Sequence, residues 1–158
     1  MTQHMLPDMQ LDWIDSLVNV FLIRSPEEVV ASYAKARPDL TAEDLGFAQQ
    51  HRLYQHVSEH IHNKPLVLTT KQVLTDPELS LRSICEYSGI SFDDSMLQWP
   101  AGKRESDGVW APWWYHNVER STGFSPYVKK QLTLDNNQQQ IAARCQPYYM
   151  AMLEHTLN

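Results

Sequence analysis

The apolar positions of this chain form two short, nearly continuous runs, separated by longer stretches of helical periodicity. Residues 18–23 (VNVFLI) are apolar at every position but one, and residues 66–70 (LVLTT) form the second run. Short runs without polar alternation are typical of strands in a parallel sheet, whose two faces are both covered. We therefore predict a strand at each run, with the first covered on both faces.

Helix signals surround both predicted strands. Ser25-Pro26-Glu27-Glu28 combines an N-cap serine, a first-turn proline and a glutamate three residues after the cap, which predicts a helix start at Pro26. Pro38 predicts its end. Further helices are predicted from about residue 41 to 62 and from Asp76-Pro77 to Gly89, which follows the last turn. A last helix is predicted through residues 141–153, with a kink at Pro147. Residues 99–126 are predicted to form a long ordered loop.

The order strand, helix, helix, strand, helix predicts an α/β fold, because parallel neighbours require a long crossover connection. In open α/β sheets ligands bind beyond the carboxyl ends of the strands. Arg24 directly follows the first predicted strand, and its guanidinium would suit a phosphate there. The alternative is that Arg24 pairs with Glu27 or Glu28.

Composition narrows the class of protein. A chain of 158 residues with 42% hydrophobic content predicts one domain. A net charge of −6 lacks the broad positive field of nucleic-acid binders, so no nucleic-acid partner is expected. The sequence has neither a secretory signal pattern nor an apolar run of membrane-spanning length, so we expect no membrane association and a cytoplasmic location. Cys85 and Cys145 are expected to be buried thiols.

The stretch FLIRSPEEVVASY, residues 21–33, resembles the strand-turn-helix element of sulfotransferases that use 3′-phosphoadenosine 5′-phosphosulfate (PAPS). In that family an arginine and a serine eight residues later bind the 3′-phosphate of the donor, so the resemblance implies this role for Arg24 and Ser32. Residues 66–97 resemble the strand, Asp-Pro helix and Gly-Ile turn that follow in the family. The resemblance implies a P-loop-like three-layer parallel sheet with flanking helices, and no metal cofactor.

Two further segments resemble parts of the same family. Arg120-Ser121-Thr122-Gly123 is similar to a late loop that closes over the 3′-phosphate, which implies binding by Arg120 and Gly123; an ordinary turn is the alternative. His4 stands before Met5-Leu6-Pro7, which is similar to the His-Leu-Pro context of the family's general base. The resemblance thus implies that His4 takes a proton from the acceptor, and a loose chain terminus is the alternative.

The sequence departs from the family at its start. Family members begin with a strand and a Gly/Ser/Thr loop that holds the 5′-phosphosulfate, and no glycine precedes residue 18 here. We therefore interpret residues 1–158 as a single partial sulfotransferase-like domain, with activity toward a small-molecule hydroxyl or amine left open. Such a domain would leave a sheet edge unpaired, which favours a homo-oligomer or a partner that completes the sheet.

Other interpretations compete with this one. A non-catalytic subunit could keep the nucleotide site alone. His56, Glu59 and His60 fit the H-x-x-E-H pattern of zinc hydrolases, although no third ligand is evident. The aromatic stretch 108–116, which includes Trp110, Trp113 and Trp114, would either line an acceptor pocket or pack the loop onto the core.

Overall fold

The computed structural model describes residues 2–35, 37–62, 64–109 and 111–157, without the side chains of Trp113 and Trp114. The chain forms two compact units. The first comprises residues 1–71 and 128–158, and the second comprises residues 72–127.

Two parallel strands form the sheet of the first unit, as the sequence predicts. Strand β1 spans Val20–Ile23 and β2 spans Leu66–Thr69, with Val20 opposite Leu66 in the register. Every residue of β2 is buried, and the C-terminal segment continues its far edge through a bridge between Val67 and Thr156.

Strand β1 is covered on one face only, so the prediction of two covered faces is wrong for this strand. Phe21 and Ile23 are buried, whereas Val20 is 37% and Leu22 is 53% exposed. An apolar run tells which residues can be buried, but what packs above each face depends on elements distant in sequence.

The helices among the described residues of both units are α1 Pro26–Tyr33, α2 Phe47–His60, α3 Thr70–Thr75, α4 Pro77–Ser88, α5 Ala111–Trp114, α6 His116–Arg120 and α7 Asn136–Leu153. Short 3₁₀ turns occupy Thr2–His4, Ile14–Ser16, Glu43–Leu45 and Asp94–Met96. Among the residues that the structure describes, no helix has the length and apolar content needed to cross a membrane.

Helix α1 begins where the sequence predicts. Ser25 is its N-cap, and its hydroxyl accepts a hydrogen bond from the N–H of Glu28 at 3.4 Å. The helix ends at Tyr33, short of Pro38. The predicted helix from about residue 41 to 62 is also corrected, because its start is a separate 3₁₀ turn and Gly46, at φ +72°, stands between that turn and α2. A left-handed residue cannot continue a right-handed helix, so α2 starts after it.

The core of the first unit lies between the sheet and two helices. Phe21 and Ile23 of β1 pack with Val57 of α2, Met152 of α7 and their buried neighbours. A second cluster joins α1 to α7 and includes Val30, Ile141 and Cys145. Tyr148, on the same helix as the buried Cys145 and Met152, is exposed.

The second unit contains the predicted Asp-Pro helix. Asp76 caps α4 by accepting from the N–H of Leu79 at 2.9 Å, and Gly89 ends the helix at φ +68°. The predicted loop of residues 99–126 contains the short helices α5 and α6. Each is about one turn long, too short for an apolar period to be visible in the sequence.

Candidate functional site

Arg24 stands at the carboxyl end of β1, immediately before the cap of α1. Its Nε donates a hydrogen bond to Oε2 of Glu28 at 2.9 Å, so the pairing considered in the sequence analysis is present. The side chain of Arg24 is 37% exposed and that of Glu28 is 13% exposed. A guanidinium has five N–H donors, and Glu28 uses the one on Nε. The terminal nitrogens of Arg24 have no hydrogen bond to another described residue, so the two NH₂ groups are able to bind an anion.

Ser32 lies on α1 and is exposed. Glu28 and Ser32 are four residues apart within α1, so they lie on one side of the helix, about 6 Å apart along its axis. Arg24 precedes the N-cap of α1 and meets this side of the helix through its contact with Glu28. The carboxylate of Glu28 therefore lies between the two residues for which the family resemblance implies phosphate binding.

His4 is exposed at the end of a 3₁₀ turn that is fastened to α2. The hydroxyl of Thr2 donates to the carbonyl of Gly46 at 3.2 Å. The guanidinium of Arg52 donates to three successive carbonyls that follow His4, those of Met5, Leu6 and Pro7. Residues 2–7 are thus held against α2 by side-chain hydrogen bonds.

Sequence reasoning missed Arg52. Its partners lie 45 to 47 residues away along the chain. Only a weak signal in the sequence could have indicated Arg52: it directly precedes Leu53 and Tyr54, which lie on the buried side of α2. The aliphatic part of an arginine side chain often packs on an adjacent apolar helix face, while its guanidinium donates hydrogen bonds to nearby acceptors.

Arg120 and Gly123 belong to the second unit and are described within it. Arg120 is exposed in the last turn of α6. Gly123 forms an antiparallel bridge with Gln98, and a Cβ built on it would lie 3.1 Å from the carbonyl oxygen of Leu97.

The turn before Gly123 is held by Trp99. The indole nitrogen of Trp99 donates to the hydroxyl of Ser121 at 3.0 Å, and its backbone N–H donates to the carbonyl of Thr122 at 3.1 Å. The ring also packs edge-on against Phe124, with centroids 5.4 Å apart. These contacts give the Ser-Thr-Gly turn a structural role, and the guanidinium of Arg120 is left exposed beside it.

The aromatic stretch 108–116 is described only in part. Trp110 lies outside the described residues, and the side chains of Trp113 and Trp114 are not described. Ala111 is buried and Tyr115 is exposed. The choice between an acceptor pocket and core packing therefore stays as the sequence analysis left it.

The histidines of the H-x-x-E-H pattern take part in contacts of α2. Nε2 of His56 lies 2.8 Å from Oδ1 of Asp15, which joins α2 to the 3₁₀ turn before β1. His60 stacks on His56 and bonds through Nδ1 to its carbonyl. Within the described part of the chain no three His, Cys, Asp or Glu side chains come together as a metal site. His56 and His60 thus take part in packing and hydrogen bonding around α2.

Comparison with known proteins identifies a family whose model covers nearly the whole chain. A family model described as "Sulfotransferase domain" matches residues 1–156. Two curated relatives from Arabidopsis thaliana, the branched-chain-amino-acid aminotransferase-like proteins 1 and 2, are 36% and 34% identical over 134 residues. The match covers 85% of this chain and 24% of each relative, so the chain spans about a quarter of their length.

A solved structure is also similar to this chain. The sulfotransferase domain from the curacin biosynthetic pathway aligns with a TM-score of 0.45 and 14% sequence identity. The alignment covers 80% of this chain and 52% of that one.

Proposed function

The chain belongs to the sulfotransferase domain family, and from that premise we propose that it takes part in the transfer of a sulfuryl group from PAPS to the hydroxyl or amine of a small molecule. In this proposal Arg24 and Ser32 bind the 3′-phosphate of the donor. The proposed compartment is the cytoplasm.

The observation that supports the proposal best is the setting of Arg24. It lies at the carboxyl end of a parallel strand and just before the N-terminus of α1, where unpaired backbone N–H groups favour an anion. Its guanidinium is partly exposed, and its Nε donates to Glu28. The two terminal nitrogens can thus donate side by side to two oxygens of one phosphate.

The chemistry proposed for this chain is proton removal and electrostatic binding. The bound donor supplies an activated sulfuryl group. As the acceptor oxygen or nitrogen forms its bond to sulfur, the sulfur–oxygen bond to the donor's phosphate breaks, and the acceptor's proton passes to the imidazole of His4. The hydrogen bonds from Arg52 to the carbonyls after His4 support this role, because they hold the segment in one place.

Calorimetric titration with adenosine 3′,5′-bisphosphate tests the phosphate site. Replacing Arg24 with Ala removes a charge-assisted contact of about 1.5–3 kcal/mol, so the affinity should fall about 10- to 100-fold. Arg144→Ala is the matched control, because Arg144 of α7 is also an arginine paired with a glutamate, Glu43, at 2.7 Å, in an exposed position. Equal affinities of the wild type and Arg24→Ala would refute the assignment. The same titration with Arg120→Ala tests the contribution implied by the family resemblance.

A second candidate function is a nucleotide-binding subunit that acts together with another polypeptide. The observation in its favour is the apolar surface along β1 and the segment before it. Its members are half exposed or nearly so: Trp13, Leu17, Val18, Val20 and Leu22. Strands with an open edge and an uncovered apolar face commonly pair with another strand.

Two measurements separate the candidates. Adding PAPS and a panel of hydroxyl and amine acceptors tests for sulfated product, which an enzyme forms and a binding subunit does not. Light scattering after gel filtration gives the oligomeric state. A monomer that unfolds cooperatively and turns over PAPS would leave no support for the subunit.

A further inference from the structure

Glu28 places a negative charge inside the proposed phosphate site. Its carboxylate accepts from Nε of Arg24 at 2.9 Å and is largely buried, while Ser32 lies one turn further along the same side of α1. A phosphate held by both Arg24 and Ser32 must lie close to this carboxylate. Two negative charges repel each other, and partial burial weakens the screening of this repulsion by water and salt.

We propose that Glu28 positions Arg24 and sets the affinity of the site for the nucleotide. This inference rests on the proposed function. By holding Nε, Glu28 turns the edge formed by the two terminal nitrogens of Arg24 toward the ligand. By carrying its own charge, it keeps the phosphate more weakly bound than the guanidinium alone would.

The consequence for a transferase is release of the spent donor. Sulfuryl transfer breaks the bond to the 5′-phosphate and leaves the 3′-phosphate unchanged, so donor and product offer the same group to Arg24. A site that binds this group too tightly retains the product, and product release limits the turnover of many enzymes. A carboxylate beside Arg24 lowers the affinity for both.

The cap of α1 should survive removal of this charge. The cap of α1 uses the backbone N–H of Glu28, which donates to the hydroxyl of Ser25, and neither Gln nor Ala at this position removes that donor. Glutamine keeps an oxygen that can accept from Nε of Arg24. Glu28→Gln therefore changes charge while it preserves the acceptor.

The test compares Glu28→Gln, Glu28→Ala and Glu27→Gln by titration with adenosine 3′,5′-bisphosphate. Glu27 is exposed on the same turn, so Glu27→Gln makes the same change in net charge at the neighbouring residue. We expect Glu28→Gln to bind about three- to tenfold more tightly than the wild type. Glu28→Ala should gain less, because Arg24 loses its positioning contact, and Glu27→Gln should change the affinity by less than about twofold.

Two further measurements distinguish an effect of the Glu28 charge from an effect of side-chain shape. The gain of Glu28→Gln should shrink at about 0.5 M salt compared with about 0.05 M, because salt screens the repulsion. It should also vanish for adenosine 5′-phosphate, which lacks the 3′-phosphate. A salt-independent gain, or a gain equal to that of Glu27→Gln, would overturn the inference. If the wild type and Arg24→Ala bind the bisphosphate equally or not at all, the proposed function itself fails, which is a different result.

Discussion

Replacing Gly46 with Ala should detach the segment that carries His4 from α2. Gly46 has φ +72°, and a Cβ built on it would lie 2.6 Å from the backbone nitrogen of Gln3 and 2.8 Å from Oγ1 of Thr2. The first of these atoms belongs to the backbone and cannot rotate away. The segment must therefore shift, which disrupts the hydrogen bond from Thr2 to the carbonyl of Gly46.

The expected loss has two parts. A non-glycine residue in the left-handed region costs about 1–2 kcal/mol, and forcing a group into a packed contact costs about 1–3 kcal/mol more. We expect Gly46→Ala to lower the free energy of unfolding by about 2–5 kcal/mol, as the sum of these ranges. If the segment leaves α2 before the unit unfolds, the global loss is smaller and amide exchange in residues 2–9 rises instead.

Gly89→Ala provides the matched control. Gly89 has nearly the same backbone conformation, φ +68°, but nothing lies within 4 Å of the Cβ position. Urea unfolding followed by circular dichroism should give a loss of about 1–2 kcal/mol for this variant. Equal losses for the two variants, with amide exchange of residues 2–9 unchanged in Gly46→Ala, would show that the tight contact with Gln3 does not exist.

Three other predictions follow from local contacts. Asp135 accepts from the first turn of α7 at 2.8 Å, so Asp135→Ala should cost about 0.5–2 kcal/mol in urea unfolding, whereas an unchanged midpoint would mean that the cap is not formed. Burial, and secondarily the charge of His155, lowers the pKa of His51 below its usual 6.5, so unfolded chains protonate first and stability is lost as the pH falls below about 6.5. His51→Gln should flatten this pH dependence between about pH 7 and pH 5, and an unaltered slope would contradict the assignment. Burial raises the pKa of the Cys145 thiol to about 11, so iodoacetamide should label Cys145 slowly in the native protein at about pH 8 and rapidly in urea, as peptide mapping can measure; equal rates would refute the burial.

Local sequence signals predicted several of the strands, helix caps and helix ends. Ser25 and Asp76 cap the helices that the sequence assigned to them, and Gly89 ends α4 in the expected left-handed conformation. Both apolar runs are strands, and they pair in parallel. The buried thiols were also predicted correctly. Each of these features depends on a few neighbouring residues or on a simple apolar run, so the sequence alone contains it.

The environment of the candidate site required the tertiary structure. The pattern offered Glu27 and Glu28 as partners for Arg24, and side-chain geometry selected Glu28. Arg52 holds the His4 segment by hydrogen bonds to residues more than 40 positions away in the sequence, and no local sequence pattern predicts these bonds. The exposure of Leu22 on β1 depends on the absence of a covering element among the described residues of its unit.

What the sequence determined by itself is where α1 and α4 begin and where α4 ends, because caps, prolines and left-handed glycines act within one helical turn. What only the tertiary structure decided is which donor meets which acceptor at the end of β1 and along α2. Those pairings depend on how distant segments pack, and packing is set by the shapes of whole faces rather than by any short stretch of residues.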